Sequence, residues 1–180
     1  MIQIYDDTIP FHDEGLARAG DVGSRAHHAI ATLAARGTRP TYQEQVAVVA
    51  SLLAGFRPIE ARAHRQNLLA AVGSYFAHLA LPDGWQFHGS EGRLGTGRVD
   101  LIWCDPDGRI LLDEIKTGNP RTLLIQRTRA QVHGYLAAAS EIWSTQFLGV
   151  RLLSTLDPAT SQFIKPSLEV TALAVTPYRR

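Results

Sequence analysis

The chain has 180 residues, of which 45% are hydrophobic and 19% charged, and its formal net charge at pH 7 is +1. This size and composition predict one globular domain, residues 1–180, and exclude an intrinsically disordered chain. A net charge so close to zero does not select a class of partner. The apolar runs are too short to span a bilayer and the first residues are acidic, unlike a secretory signal, so we expect a cytoplasmic protein without membrane contacts.

Helical patterns dominate the first half of the chain. Asp21 is placed to cap a first helix, which Gly37 ends. Thr41 and Glu44 have the spacing of a capping box at the start of a second helix. Pro58 suits the first turn of a third. The predicted helices cover residues 21–36, 41–54 and 58–81.

Strand patterns follow the break at Pro82-Asp83-Gly84, and the step Asp107-Gly108 predicts a hairpin turn. The order of elements predicts an α/β fold with a mixed central sheet flanked by helices. Residues 1–82 would form its helical part and residues 83–180 its strand-rich catalytic core. We predict strands over residues 85–91, 97–104, 109–116, 147–153 and 168–175, and a helix over 121–140.

Three polar residues of the predicted hairpin suggest chemistry. Glu114 and Lys116 are two residues apart and share a strand face, and the turn brings Asp100 nearly opposite Glu114. Two neighbouring carboxylates repel each other unless a cation such as Mg²⁺ lies between them. The alternative is an ordinary hairpin with a Glu–Lys salt bridge, but the chain has sixteen arginines and only two lysines, so a strand lysine requires an explanation.

The neighbours of these residues have simpler interpretations. Asp113 would face the other side of the sheet, and we expect it to be peripheral or a cap. Glu91 could be a further acid near a metal, but a surface position at a strand end is favoured. In the following helix, Gln131 and Tyr135 are four apart and share a face, although core packing alone explains a tyrosine there. The single cysteine, Cys104, is expected to be a small core residue.

A glycine-led strand with Asp100, a hairpin and then the run Asp-Glu-Ile-Lys-Thr-Gly resembles the PD-(D/E)XK nuclease superfamily. The pair Gln131-x-x-x-Tyr135 is similar to a motif of its RecB-type, exonuclease-like branch. That branch includes nuclease domains of bacterial recombination helicase–nucleases and CRISPR adaptation exonucleases. Its early Gly-x-x-x-His motif is matched by Gly23 to His27. The resemblance implies a restriction-endonuclease-like core.

The same resemblance implies a role for each matching residue. The implied ligands of a Mg²⁺ or Mn²⁺ ion are Asp100, Glu114, the Ile115 carbonyl and His27, and the implied catalytic and orienting residues are Lys116, Gln131 and Tyr135. A lone helix histidine is more often structural, so that alternative for His27 stays open. Val99 replaces the proline of the superfamily name. The absence of a cysteine cluster excludes the iron–sulfur members, and the chain has no nucleotide-binding loop of a motor.

The expected function is metal-dependent hydrolysis of DNA phosphodiester bonds, in recombination, repair or defence against foreign DNA. Arg98 and Arg127 are candidates for contacts to backbone phosphates. The expected partners are DNA and a helicase, polymerase or other nucleic-acid-processing protein. The alternative is a catalytically silent module of the same fold that binds nucleic acid or assembles with such a partner.

Overall fold

The computed structural model of this protein describes residues 22–173. Asp21, the expected cap of the first helix, and the end of the last predicted strand lie outside that range. The helices are α1 (Val22–Ala34), α2 (Tyr42–Leu52), α3 (Pro58–Ser74) and α4 (Gln126–Trp143), and the strands are β1 (Gln86–Leu94), β2 (Gly97–Cys104), β3 (Ile110–Lys116), β4 (Phe147–Ser154), β5 (Gln162–Ile164) and β6 (Val170–Ala172).

Local signals account for most helix boundaries. The predicted capping box of α2 is confirmed: the Thr41 hydroxyl accepts a hydrogen bond from the Glu44 amide, and the Glu44 carboxylate accepts one from the Thr41 amide. α3 begins at Pro58 and continues into one π-helical turn, Tyr75–Leu79. No helix within residues 22–173 is long and apolar enough to cross a membrane.

The helix predicted over residues 121–140 is divided. Pro120–Leu124 forms a 3-10 helix, whose first turn is capped by the Asn119 side chain. Ile125 then adopts an extended conformation, with φ −70° and ψ 148°, and α4 starts only at the next residue. The prediction was therefore wrong for the first five residues, because the apolar pattern does not report a single extended residue between two helical segments.

The six strands form one mixed sheet in which they are arranged in sequence order. All neighbours are antiparallel except β3 and β4, which are parallel and connected through α4. The predicted α/β fold with a mixed sheet is thus confirmed. β5 was not predicted, because three residues are too few to show an alternating pattern. β1 also runs three residues beyond its predicted end at residue 91.

The two faces of the sheet pack against different helices. Helices α1, α2 and α3 cover one face, where Leu111 and Ile115 of β3 are buried. Helix α4 covers the other face, where Leu112 is buried. Because side chains alternate along a strand, Glu114 and Lys116 lie on the α4 side of β3. The α4 side of β3 therefore holds Glu114 and Lys116, whereas its third charged residue, Asp113, lies on the other side with Leu111 and Ile115.

Asp113 is the centre of a buried polar network. Its carboxylate is fully buried and accepts hydrogen bonds from the Tyr75 hydroxyl (2.9 Å), the Trp103 indole (3.0 Å) and the Arg151 guanidinium (2.7 and 2.6 Å). Arg151 also donates to the Leu79 carbonyl at 2.7 Å. The expectation that Asp113 is peripheral or a cap is wrong. The network connects the π-helical turn after α3 to strands β2, β3 and β4.

Replacing Asp113 by alanine is expected to destabilise the fold strongly. Arg151 would remain buried without a counter-charge, which costs about 3–5 kcal/mol in comparable buried pairs. Asp107→Ala is a matched control, because Asp107 pairs with Arg109 at the surface, where such pairs contribute about 0–1 kcal/mol. Urea unfolding of the three proteins measures the difference. Equal losses for the two variants would contradict a stabilising role of the buried network.

Candidate active site

The candidate site begins where strands β2 and β3 stop pairing through their backbones. Their ladder extends from the Cys104–Ile110 pair to the Leu101–Asp113 pair. One residue further, the Asp100 carboxylate accepts a hydrogen bond from the Ile115 amide, with 2.6 Å between Oδ2 and N. A side chain thus takes the place of a backbone partner. This bond holds the Asp100 carboxylate, which is 8% exposed, between the two strands.

Helix α1 brings His27 to the second oxygen of the same carboxylate. The distance from His27 Nδ1 to Asp100 Oδ1 is 2.9 Å. Two ligands of one octahedral ion, each about 2.1 Å from it and at right angles, are also about 3 Å apart. Burial lowers the pKa of His27, but the hydrogen bond to Asp100 and the charges of Asp100, Glu114 and Glu91 outweigh it, so that the pKa is raised. The carboxylates thus favour a cation at this position.

Glu114 is a buried carboxylate, and only one of its two oxygens accepts a hydrogen bond from the described residues. It is 2% exposed, and its Oε1 accepts a hydrogen bond from Lys116 Nζ at 2.5 Å. Its Oε2 is buried and has no hydrogen-bond partner among the described residues. Burial and the negative charge of Asp100 raise the pKa of Glu114 to about 7, although Lys116 opposes the shift. A buried oxygen without a partner is costly, so this atom is a candidate ligand for a cation.

A chain of polar contacts connects Lys116 to α4. Lys116 Nζ lies 3.5 Å from Gln131 Oε1, and Gln131 Nε2 donates to the Tyr135 hydroxyl at 2.6 Å. The Tyr135 hydroxyl in turn donates to the Arg98 carbonyl. Burial and the nearby Glu114 charge raise the pKa of Tyr135, so its hydroxyl keeps its proton. Tyr135 therefore packs in the core, as the simpler interpretation expects, and also orients Gln131.

Glycine at position 97 is required by the close approach of Tyr135. A Cβ placed on Gly97 would lie 2.6 Å from Cε1 of the Tyr135 ring. Tyr135 is 1% exposed, and its hydroxyl is held by hydrogen bonds with Gln131 and the Arg98 carbonyl, so the ring has little room to move. The glycine at the start of β2 thus allows α4 to pack directly against the site.

The structure adds Glu91 to the predicted residues. One of its carboxylate oxygens, one of Asp100 and a ring nitrogen of His27 all lie within 4.8 Å of one another. We call this group the His27–Glu91–Asp100 cluster. Glu91 has a φ of +55°, which is rare for a residue with a side chain and costs about 1–2 kcal/mol. The expected position at a strand end is wrong, because Glu91 lies inside β1, where its side chain is 35% exposed.

A hairpin signal would have located Glu91. Strands β1 and β2 are joined by a two-residue turn, since Leu94 pairs with Gly97. Counting back from that turn places residue 91 opposite residue 100. The two residues between the strands, Gly95-Thr96, form this turn, and glycine suits it because Gly95 adopts a φ of +58°.

A cleft of about 450 Å³ opens beside these residues. His27, Ile115, Lys116 and Gln131 line it, and Arg127 lines it with an exposed side chain. Arg98 is exposed as well, but its guanidinium is 3.1 Å from the Glu91 carboxylate. The structure therefore brings the predicted residues to one region. The other residues lining the cleft are Gly23, Ser24, Thr117, Gly118, Thr122, Ile125 and Thr128.

The donor set suits a hard divalent cation. The His27–Glu91–Asp100 cluster offers two carboxylates and one imidazole, and the charge of Asp100 also acts on the neighbouring Glu114 carboxylate. Oxygen-rich sets of this kind suit Mg²⁺ or Mn²⁺, whereas thiolate-rich sets select softer metals. A divalent ion would replace the contact between His27 and Asp100, and Glu114 Oε2, which has no hydrogen-bond partner among the described residues, is a further candidate ligand. The residues present therefore fit a divalent metal.

Glu114→Gln should change how stability depends on pH in the absence of metal. The pKa of Glu114 is about 7 in the folded protein against 4.5 for a free glutamate, so the folded state holds its proton more tightly. The stability of the wild type relative to the variant should therefore fall as the pH rises from about 4.5 to about 7. Thermal unfolding of both proteins in EDTA across this pH range measures the stability difference. A difference that does not vary with pH would show that Glu114 ionises normally.

Gly97→Ala should disturb the site through Tyr135. The new methyl group would overlap the buried ring, and overpacking of this kind costs about 1–3 kcal/mol. Gly89→Ala is a control in the neighbouring strand, because a Cβ at Gly89 would meet no atom within 4 Å. Chemical unfolding of both variants tests the difference, and an unaffected Gly97→Ala protein would contradict the close contact.

No family model and no curated protein matches this sequence. A functional assignment therefore depends on the chemistry of the chain's own side chains. The arrangement combines the His27–Glu91–Asp100 cluster, which could hold a metal ion, with a lysine that contacts the neighbouring buried carboxylate of Glu114.

Proposed function

We propose that this protein is a metal-dependent nuclease that hydrolyses DNA phosphodiester bonds, with the restriction-endonuclease-like core of the PD-(D/E)XK superfamily. The observation that carries the proposal is Glu114. This carboxylate is buried beside Asp100, bonded to Lys116 through one oxygen and left without a partner at the other. A structural Glu–Lys salt bridge alone does not explain why a second carboxylate and a histidine lie next to it.

Each residue has a distinct task in this proposal. Asp100, Glu114 and His27 would hold Mg²⁺ or Mn²⁺, together with Glu91 and the Ile115 carbonyl. When bound, the ion would supply positive charge that stabilises the phosphate during attack. Lys116 lies at the wall of the cleft, where its ammonium can assist the attacking water and offset negative charge on the phosphate.

The residues of α4 support Lys116 and the substrate. Gln131 contacts the ammonium and is itself oriented by Tyr135, so the position of Lys116 is set by two neighbours rather than by Glu114 alone. The Arg127 side chain lies at the cleft and is suited to contact a backbone phosphate without reading the sequence. We further propose that the protein acts in recombination, repair or defence, alongside a helicase, polymerase or other DNA-processing partner.

Lys116→Arg and Lys116→Ala should both abolish efficient cleavage while the fold and DNA affinity are kept. Arginine retains the charge but is larger, planar and unable to release a proton at working pH. Loss of one group that acts on the transition state costs on the order of 3 kcal/mol, or ~100-fold in rate. Single-turnover cleavage of linear and circular DNA with Mg²⁺, Mn²⁺ or EDTA measures the effect.

The second lysine of the chain provides the control. Lys165 is exposed and pairs with Glu169, so Lys165→Ala should cleave like the wild type. Near-normal cleavage by Lys116→Arg would contradict the role of Lys116. If the wild type cleaves neither DNA nor RNA with either metal but binds nucleic acid, the protein is a binding module with a nuclease-like site.

A further inference from the structure

Glu91 is shared between the His27–Glu91–Asp100 cluster and an arginine. Its Oε2 lies 3.1 Å from Arg98 Nη1, and the same carboxylate is within 4.8 Å of the ligand atoms of His27 and Asp100. A guanidinium and a divalent cation would therefore both interact with one carboxylate. An independent observation is Glu114, on which the charges of Asp100 and His27 act and whose buried Oε2 has no hydrogen-bond partner among residues 22–173.

The two partners of this ion pair differ in how firmly they are held. The backbone of Arg98 is fixed, because its carbonyl accepts the hydrogen bond of the buried Tyr135. Its side chain is 62% exposed and is free to rotate into solvent. Glu91, by contrast, has a side chain that is only 35% exposed, with a carboxylate oxygen within 4.8 Å of the ligand atoms of His27 and Asp100. If the pair separates, Arg98 is the residue that moves.

We propose that a divalent cation bound by the His27–Glu91–Asp100 cluster displaces Arg98 from Glu91 and makes its guanidinium available to a backbone phosphate of the DNA strand. This inference rests on the proposed function. An exposed ion pair is weak, and a cation of charge +2 both occupies Glu91 and repels the guanidinium. Phosphate is then the best remaining partner, because the planar guanidinium can bind two of its oxygens.

Metal binding and DNA binding are coupled by this exchange. Without metal, Glu91 neutralises Arg98 and the arginine adds little to DNA affinity. With metal, Arg98 contributes fully, and by linkage DNA must tighten metal binding to the same extent. The protein would thus bind DNA tightly only when the divalent cation is bound.

A direct test measures Mn²⁺ binding without DNA. Arg98→Ala removes the cation that competes for Glu91, so it should tighten Mn²⁺ binding several-fold in a calorimetric titration. Arg57→Ala is the matched control, since Arg57 also pairs with a glutamate, Glu60, but lines no part of the cleft. Unchanged or weaker Mn²⁺ binding by Arg98→Ala would overturn the competition.

The DNA side of the exchange is tested by fluorescence anisotropy with labelled oligonucleotides. All proteins carry Lys116→Ala, so that the DNA is not cut. Arg98→Ala should weaken binding about tenfold in Mn²⁺, as expected for a lost charge-assisted contact, but less than about twofold in EDTA. In a Glu91→Gln background, where Arg98 is free from the start, the loss in EDTA should also approach tenfold.

Equal losses in Mn²⁺ and EDTA with Glu91 intact would overturn the proposed exchange. The two proposals fail in different ways. If the protein without the Arg98 substitution binds no nucleic acid under any condition, the proposed function and the DNA side of the exchange both fail. The Mn²⁺ titration still decides whether Arg98 and the metal compete.

Discussion

The site depends on one carboxylate placed between two strands. Asp100 satisfies the Ile115 amide with one oxygen and contacts His27 with the other, so it connects the sheet to helix α1 at the position where the β2–β3 ladder ends. Without this side chain the Ile115 amide would lose its bond, and α1 its polar contact with the sheet. The neighbouring Glu114 is thereby held close to a second negative charge, which adds to burial, the larger cause, in raising its pKa.

Strand β3 separates stability from chemistry by the alternation of its side chains. Asp113 points into the layer of α1–α3, where four hydrogen bonds to its carboxylate satisfy it completely. Glu114, the next residue, points to the α4 side and remains half satisfied. Two adjacent buried acids thus differ in how completely their carboxylate oxygens are hydrogen-bonded. A fully bonded carboxylate stabilises the fold, whereas an unpartnered one is destabilising on its own and is maintained only if something binds to it.

Much of the fold was predictable because the relevant signals are local. The capping box at Thr41, the proline start of α3 and the turn at Asp107-Gly108 each act over a few residues, and the structure has all three. Predictions failed where distant contacts decide the outcome. Asp113 resembled a surface acid because its partners Tyr75 and Arg151 are each 38 residues away in the sequence. The three-residue strand β5 forms because it pairs with β4 on one side and β6 on the other.

The sequence by itself determined which polar residues share a face of one element. Alternation along β3 places Glu114 and Lys116 together, and helical spacing places Gln131 and Tyr135 together on α4. Only the tertiary structure decided what surrounds them. It brought His27 and Glu91 to Asp100 and left Glu114 Oε2 without a hydrogen-bond partner among residues 22–173. The physical reason is that periodicity fixes the direction of a side chain relative to its own strand or helix, whereas burial, pKa and ligand geometry depend on groups from other parts of the chain.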